Sequence, residues 1–187
     1  VVTNAGTLNL TSGKLEQAVT GGNVAIDGDV TSNASIASAI GINEDKSLTI
    51  NASNIGGAIT NDGTLNLGAG TLANAISGAG TTSIIGGIVN TTDNISQNNI
   101  NVQSGARFNS TGKINITGAL TNNGNGNVAG IIGNIQNNEM NKNMYKGFNN
   151  NNEISLEPNN PFISNLTSYP NQSQESTERR KTNEWRN

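Results

Sequence analysis

The chain has 187 residues, of which 33% are hydrophobic, 3% aromatic and 12% charged, and it contains 23 glycines. Histidine and cysteine are both absent, which excludes Ser-His-Asp and Cys-His nucleophile systems, zinc sites that need His or Cys, and disulfides. The net charge of −3 argues against a nucleic-acid partner, and the scarcity of aromatic residues argues against an ordinary globular core.

From the N-terminus, a short unit recurs along the chain: a turn residue, often Gly, then one polar residue, then an apolar–x–apolar triplet. In chain order the units occupy residues 6–10, 22–26, 46–50, 63–67, 80–84, 98–102, 112–116 and 124–128. Their closing apolar residues are 12 to 24 residues apart, with an average close to 17. A period this short is too small for a repeat of two helices.

A longer repeat lies over the short one. Residues 2–22 align without a gap on residues 59–79, with eleven identities in 21 positions. Alternation at period two places Leu8 and Leu10 on one side of a strand and Asn9 on the other. One such turn of chain cannot bury its own apolar side, so neighbouring turns must cover it.

The sequence therefore predicts an all-β fold over residues 1–136, a right-handed parallel β-helix with about 17 residues per coil. Eight stacked coils would be roughly 40 Å long, and the outward Asn, Thr and Ser side chains would form polar ladders. The long interval between Ile26 and Ile50 predicts either an excursion loop around residues 32–45 or an additional short strand. A disordered Asn/Gly-rich linker is the alternative, which the recurring apolar pairs disfavour.

Residues 137–187 differ in composition: they hold all three prolines, both methionines, both tyrosines and the single tryptophan. Because the unit stops there and the prolines oppose strand pairing, we expect a poorly structured, Asn-rich tail. One hypothesis is that this tail is a degenerate, frameshifted end. The basic residues 179–181 near Trp185 could contact an anionic surface, but six acidic residues offset them and favour a solvated segment.

The units GTLNL, ITNDGTLNLGAGTLANAISGAGTTSIIGG (residues 59–87) and KINITGALTNNGNG (residues 113–126) resemble the passenger domains of autotransporter adhesins. They are most similar to the rickettsial outer membrane protein A and B surface-antigen family, over residues 1–136. The resemblance implies an exported β-helix at the cell surface, held in the outer membrane by a C-terminal barrel, with roles in host-cell adhesion and antigenicity. The family offers no catalytic residues, and without its signal segment and barrel the chain is expected to be a piece of a longer protein.

Four candidate sites were weighed against structural interpretations. Residues 21–29 resemble a calcium-binding nonapeptide, but the motif occurs once, so Asp27-Gly28-Asp29 is interpreted as a turn. Gly68-Ala69-Gly70 and Gly78-Ala79-Gly80 lack the context of a phosphate loop and are interpreted as corners.

Paired carboxylates define the fourth candidate. Asp27 and Asp29 could meet the separation that polysaccharide hydrolysis requires, whereas the adjacent Glu44 and Asp45 are expected to be solvated. A β-helix enzyme of this kind would also need a nearby base such as Arg107. We therefore expect no catalytic, cofactor-binding or metal-binding residues and no enzyme activity. The expected function is host-cell attachment through a surface protein or glycan, without nucleic acid. The alternatives are a carbohydrate-active β-helix of the tailspike or polysaccharide-lyase type, and a nonfunctional remnant.

Overall fold

A computed structural model describes the backbone of residues 1–129, 131–137 and 145–146, and the side chains of residues 1–125. Contacts divide the chain into a unit Val1–Ser155, which holds all of the described residues, and a unit Leu156–Asn187, which holds none. The described part is all-β: its strands pair in parallel and wind into a solenoid of about 7 turns, with one short 3₁₀ helix at Ala52–Asn54. This confirms the predicted fold class.

The strands are short because Gly, Asn and Asp corners interrupt each run of alternating residues. In chain order they are β1 (Val2–Thr3), β2 (Thr7–Leu10), β3 (Gly13–Leu15), β4 (Val19–Thr20), β5 (Asn23–Ile26), β6 (Asp29–Ser32), β7 (Ala39–Ile42), β8 (Ser47–Asn51), β9 (Ile59–Asn61), β10 (Thr64–Gly68), β11 (Gly70–Leu72), β12 (Ile76–Ser77), β13 (Thr81–Ile84), β14 (Ile88–Thr91), β15 (Ile95–Gln97), β16 (Asn99–Val102), β17 (Arg107–Ser110), β18 (Ile114–Asn122), β19 (Asn125–Ala129), β20 (Ile131–Asn137) and β21 (Tyr145–Lys146).

Each coil visits three faces in turn. Face 1 contains β1, β4, β11, β14, β17, β19 and β21. Face 2 contains β2, β5, β7, β9, β12, β15 and the first part of β18, whereas face 3 contains β3, β6, β8, β10, β13, β16 and the last part of β18. The chain therefore turns at three corners per coil, which we name corner 1–2, corner 2–3 and corner 3–1. β18 runs through corner 2–3 without a break and joins faces 2 and 3 into one sheet.

Face 1 is irregular in the early coils. Between β4 and β11 the column continues only through isolated parallel bridges, from Val19 to Ile36 and from Ile36 to Ile55. The 3₁₀ helix immediately precedes Ile55. All three side chains remain buried. Face 1 thus keeps its apolar column where it loses its ladder.

Aliphatic side chains fill the interior. The inward positions of successive coils form continuous columns, such as Leu48, Leu65 and Ile100 on face 3, and each of these residues is 0% exposed. Phe108 is the one large departure: it is fully buried on face 1, in register with Val89 below and Gly126 above. The glycine in the next coil provides room for the phenyl ring.

Several strands end on an inward polar side chain that bonds the backbone two residues ahead. Ser32 Oγ donates to the Ala34 carbonyl at 2.7 Å, and Asn122 Oδ1 accepts from the Gly124 amide at 3.1 Å. Ser110 Oγ donates to the carbonyl of residue 112 in the same way. These bonds satisfy backbone groups that leave the ladder at a corner, so the buried hydroxyls and amides have a structural role.

The count of eight coils was wrong, because the short unit is not confined to one face. Leu10 pairs with Ile26 on face 2, and the next residue in that column is Ile42 of β7. The 24-residue interval therefore holds an additional strand, the second of the two predicted options. At the other end, Ile116 and Val128 belong to successive strands of almost the same turn, so they were counted as two coils.

The 21-residue repeat is rotated by one face between its two copies. Leu8 lies on face 2, but its equivalent Leu65 lies on face 3. In the same way Val19 is on face 1 and its equivalent Ile76 is on face 2. The shift of 57 residues therefore corresponds to three coils plus one face. Identical sequence can serve two faces because the aliphatic pattern is the same on each.

A common corner motif explains why this rotation is tolerated. Thr-Asn-x-Gly occurs three times, with its asparagine at Asn4, Asn61 and Asn122. Asn4 turns corner 1–2, Asn61 turns corner 2–3 and Asn122 turns corner 3–1. In the first and third, the amide two residues later donates to the asparagine Oδ1 at 3.1 Å. One local conformation thus serves all three corners.

Only two residues of the expected tail can be described beyond Asn137. Tyr145–Lys146 forms β21, which pairs in parallel with Val128 and Ala129 of β19. The remainder of residues 138–187, including the basic residues 179–181 and Trp185, lies outside the described residues. The boundary at residue 136 and the low order of the tail remain predictions.

Candidate functional site

The two candidate aspartates flank corner 2–3 of the second coil. Asp27 follows β5 and Asp29 begins β6, with Gly28 between them. Asn43 Nδ2 donates to Asp27 Oδ1, and Ser47 Oγ donates to Asp29 Oδ1 at 2.7 Å. Both carboxylates are thus hydrogen bonded to the coil above, and the segment forms a turn as expected.

Arg107 is not brought near these aspartates. It begins β17 on face 1, where it pairs with Ile88 and Asn125. From β6 the face 3 column passes through β8, β10 and β13 to β16, which is the strand before β17. Four ladder steps of about 4.8 Å put Arg107 roughly 19 Å farther along the stack, on another face. The carboxylate pair and base of the enzyme hypothesis are therefore not assembled.

The two G-x-G segments are corners. Gly68-Ala69-Gly70 joins β10 to β11, and Gly78-Ala79-Gly80 joins β12 to β13. Gly70 and Gly78 have φ values of 136° and 110°, in the region that side chains rarely adopt. Neither segment leads into a helix, so neither presents the helix N-terminus that a phosphate loop needs.

Stacking collects acidic residues along corner 2–3, which the sequence pattern did not predict. This acidic corner comprises Asp27, Asp29, Glu44, Asp45 and Asp62, from three successive coils. One cation, Lys46, lies among them. Asp62 Oδ1 accepts from the Ala79 amide at 3.0 Å in the next coil, so it also acts as a link between coils. Among the described residues, no group of three or more carboxylate, His or Cys side chains could hold a metal ion.

A second cluster, inside the solenoid, was also missed. Asn61, Thr82 and Gln97 are polar, yet each is no more than 2% exposed. Asn61 Nδ2 donates to Gln97 Oε1 at 2.5 Å, and Thr82 Oγ1 donates to the same oxygen at 3.1 Å. We call these three residues the buried amide cluster. A polar residue at a position where neighbouring coils have isoleucine was the signal that could have found it.

Outward side chains form polar ladders, as the sequence predicted. Asn66 Nδ2 donates to Thr49 Oγ1 at 3.3 Å on face 3, and Asn109 Nδ2 donates to Asn90 Oδ1 at 2.8 Å on face 1. Face 3 carries the most regular set, two ranks of Ser, Thr and Asn on four strands in unbroken register. This face 3 array comprises Ser47, Thr49, Thr64, Asn66, Thr81, Ser83, Asn99 and Asn101.

The face 3 array is flat and neutral. Its members are half-buried, or buried in the case of Ser83, rather than protruding into solvent. None is charged, whereas the neighbouring corner 2–3 is acidic and face 1 carries Arg107. Along the described part of the chain, this array is the broadest surface of uniform chemistry, and it can make many similar hydrogen bonds to a polar ligand.

No helix within the described residues is long and apolar enough to cross a membrane. Comparison of the chain with protein-family models, with curated proteins and with solved structures found no match.

Proposed function

We propose that this chain is part of a bacterial cell-surface autotransporter passenger, in which a rigid β-solenoid presents a polar surface for attachment to a host-cell protein or glycan. The observation that carries the proposal is the face 3 array, together with the dispersal of the candidate catalytic groups. A parallel solenoid keeps its outward residues at a fixed spacing near 4.8 Å over many coils. Each contact with a ligand is weak, but simultaneous contacts add through effective concentration.

Attachment through face 3 is consistent with the chemistry of that surface. Hydroxyl and amide groups such as those of Thr64 and Asn66 both donate and accept hydrogen bonds, as the hydroxyl groups of glycans also do. Because the side chains are short and held by the ladder, little conformational entropy is lost when a ligand binds. The acidic corner alongside would repel a strongly anionic partner, which favours a neutral one.

The test measures attachment directly. Beads coated with the purified chain are added to cultured host cells, and bound beads are counted in the presence and absence of soluble chain. We expect binding that the soluble chain inhibits. Thr64→Lys places a long charged side chain in the face 3 array and should reduce attachment. Thr60→Lys adds the same charge on the outward side of face 2 and serves as the matched control.

Two results would overturn the proposal. Beads that do not bind above the level of uncoated beads would remove the adhesive role, and equal losses from both lysine variants would remove face 3 from it. A polysaccharide panel supplies the enzymatic arm: release of reducing ends that disappears in Asp27→Asn or Asp29→Asn would favour the carbohydrate-active alternative. A purified chain without a β-rich circular dichroism spectrum would favour the nonfunctional remnant.

A further inference from the structure

The aliphatic pattern alone does not fix which face each segment occupies. Two nearly identical segments, residues 2–22 and 59–79, lie on different faces, and the Thr-Asn-x-Gly corner fits all three corners. A slip of one face would therefore keep apolar side chains inside and turn residues at corners. Strands whose register is weakly specified are prone to alternative pairings. Some other feature must distinguish the native alignment.

The buried amide cluster has the geometry of such a feature. On face 2, the last inward position of successive coils is occupied by Ile42, Asn61, Gly78, Gln97 and Ile116. The glycine has no side chain, so the amides from the coils below and above it meet across the gap. An added Cβ at this glycine would collide with the Asn61 carbonyl oxygen. The cluster therefore depends on three specific coils lying in one specific alignment.

The amide groups use backbone partners from several coils. Gln97 Nε2 lies 3.0 Å from the Ser77 carbonyl oxygen, 3.1 Å from that of Gly78 and 3.3 Å from that of Asn61. Asn61 Nδ2 also donates to the Thr81 carbonyl at 3.0 Å. A slip of one face would separate these groups and set buried amides against aliphatic columns. Each buried polar group left unsatisfied would cost about 1–3 kcal/mol.

Stability alone does not explain the cluster. Asn61 Oδ1 is buried and has no hydrogen-bond partner among the described residues, so the native arrangement already includes a desolvation cost. Isoleucine occupies the equivalent position at Ile42 and Ile116 and is fully compatible with the fold. A buried polar residue that selects one alignment at some cost in stability is known from coiled coils. We propose that the buried amide cluster fixes the register of the coils.

The test uses disulfide trapping, which is clean because the chain contains no cysteine. Asn66 and Ser83 are register partners on adjacent parallel strands, so their Cα atoms lie about 4.8 Å apart, within the range of a disulfide. N66C with S83C therefore reports the native alignment beside the cluster. N9C with A25C reports the same kind of pair on β2 and β5, remote from it.

Each cysteine pair is placed in the parent chain and in the Asn61→Leu/Gln97→Leu background, which replaces the amides by apolar groups of similar shape. After mild oxidation the cross-linked fraction is measured by mass spectrometry. We expect nearly complete cross-linking of both pairs in the parent chain. In the leucine background the N66C/S83C fraction should fall to about half, as for two registers of similar free energy, while the N9C/A25C fraction stays high.

The control background is Thr91→Val/Ser110→Ala, which removes buried hydroxyls whose side-chain bonds reach only two residues ahead. It should leave both cross-linked fractions unchanged. If the leucine background lacks a β-rich circular dichroism spectrum, Asn61→Ile/Gln97→Ile repeats the test with the residue type of the neighbouring coils. The proposal is overturned if N66C/S83C cross-linking is as complete without the amides as with them, or if both backgrounds fail to fold.

Discussion

Truncation of one leucine in each copy of the long repeat tests whether stacking, rather than local sequence, buries the apolar residues. Leu65 is 0% exposed, with Leu48 in the coil below and Thr82 in the coil above. Its equivalent Leu8 is only partly buried, because within the described residues its column continues in one direction, to Val24. The local sequence GTLNL is the same at both sites. Any difference between them must therefore arise from tertiary contacts.

The expected magnitudes differ accordingly. Leu65→Ala leaves a cavity between two covered coils and should lower the free energy of unfolding by about 2–5 kcal/mol. Leu8→Ala opens a partly solvated site that can relax, so we expect a cost of about 1 kcal/mol. Urea denaturation followed by circular dichroism gives both values, and the m-value shows whether the same surface unfolds. Equal costs at the two sites, or a larger cost at Leu8, would refute the stacking argument.

Three further predictions concern the core, a corner and the outer surface. Phe108→Ala should cost about 3–5 kcal/mol in the same denaturation assay because the ring is fully buried, and a loss below 1 kcal/mol would mean that its site is open. Gly78→Ala should destabilise the chain more than Gly105→Ala by thermal melting, since both have positive φ but only the first would push a Cβ into backbone. Thr60→Ala on the outside of face 2 should change stability by less than about 0.5 kcal/mol, and a larger loss would place that residue in a contact absent from this fold.

The fold class followed from local signals. Alternation of apolar and polar residues, as at Leu65-Asn66-Leu67, requires an extended strand with one buried side, and glycines between such runs require turns. The interpretations of Asp27-Gly28-Asp29 and Gly78-Ala79-Gly80 as corners are confirmed for the same reason, because a turn is decided by the few residues in it. The polar ladders also follow, since parallel strands in register stack equivalent outward side chains.

The number of coils could not be read from the same signals. A unit such as residues 112–116 looks the same whether it begins a new coil or continues the present one. Spacing in sequence measures distance along the chain, and a coil closes only when a strand pairs with its neighbour. The units ending at Ile116 and Val128 were therefore counted as separate coils although they lie in almost the same turn.

By itself, the sequence determined that this protein builds parallel, stacked β-coils with aliphatic interiors and polar exteriors, because these properties depend on residues a few positions apart. Only the tertiary structure decided which of three equivalent faces each segment occupies, and it thereby created the acidic corner and the buried amide cluster. Residues that meet in those clusters are separated by whole coils: Asn61 and Gln97 lie 36 positions apart. Their contact depends on register, and the local pattern is the same on every face.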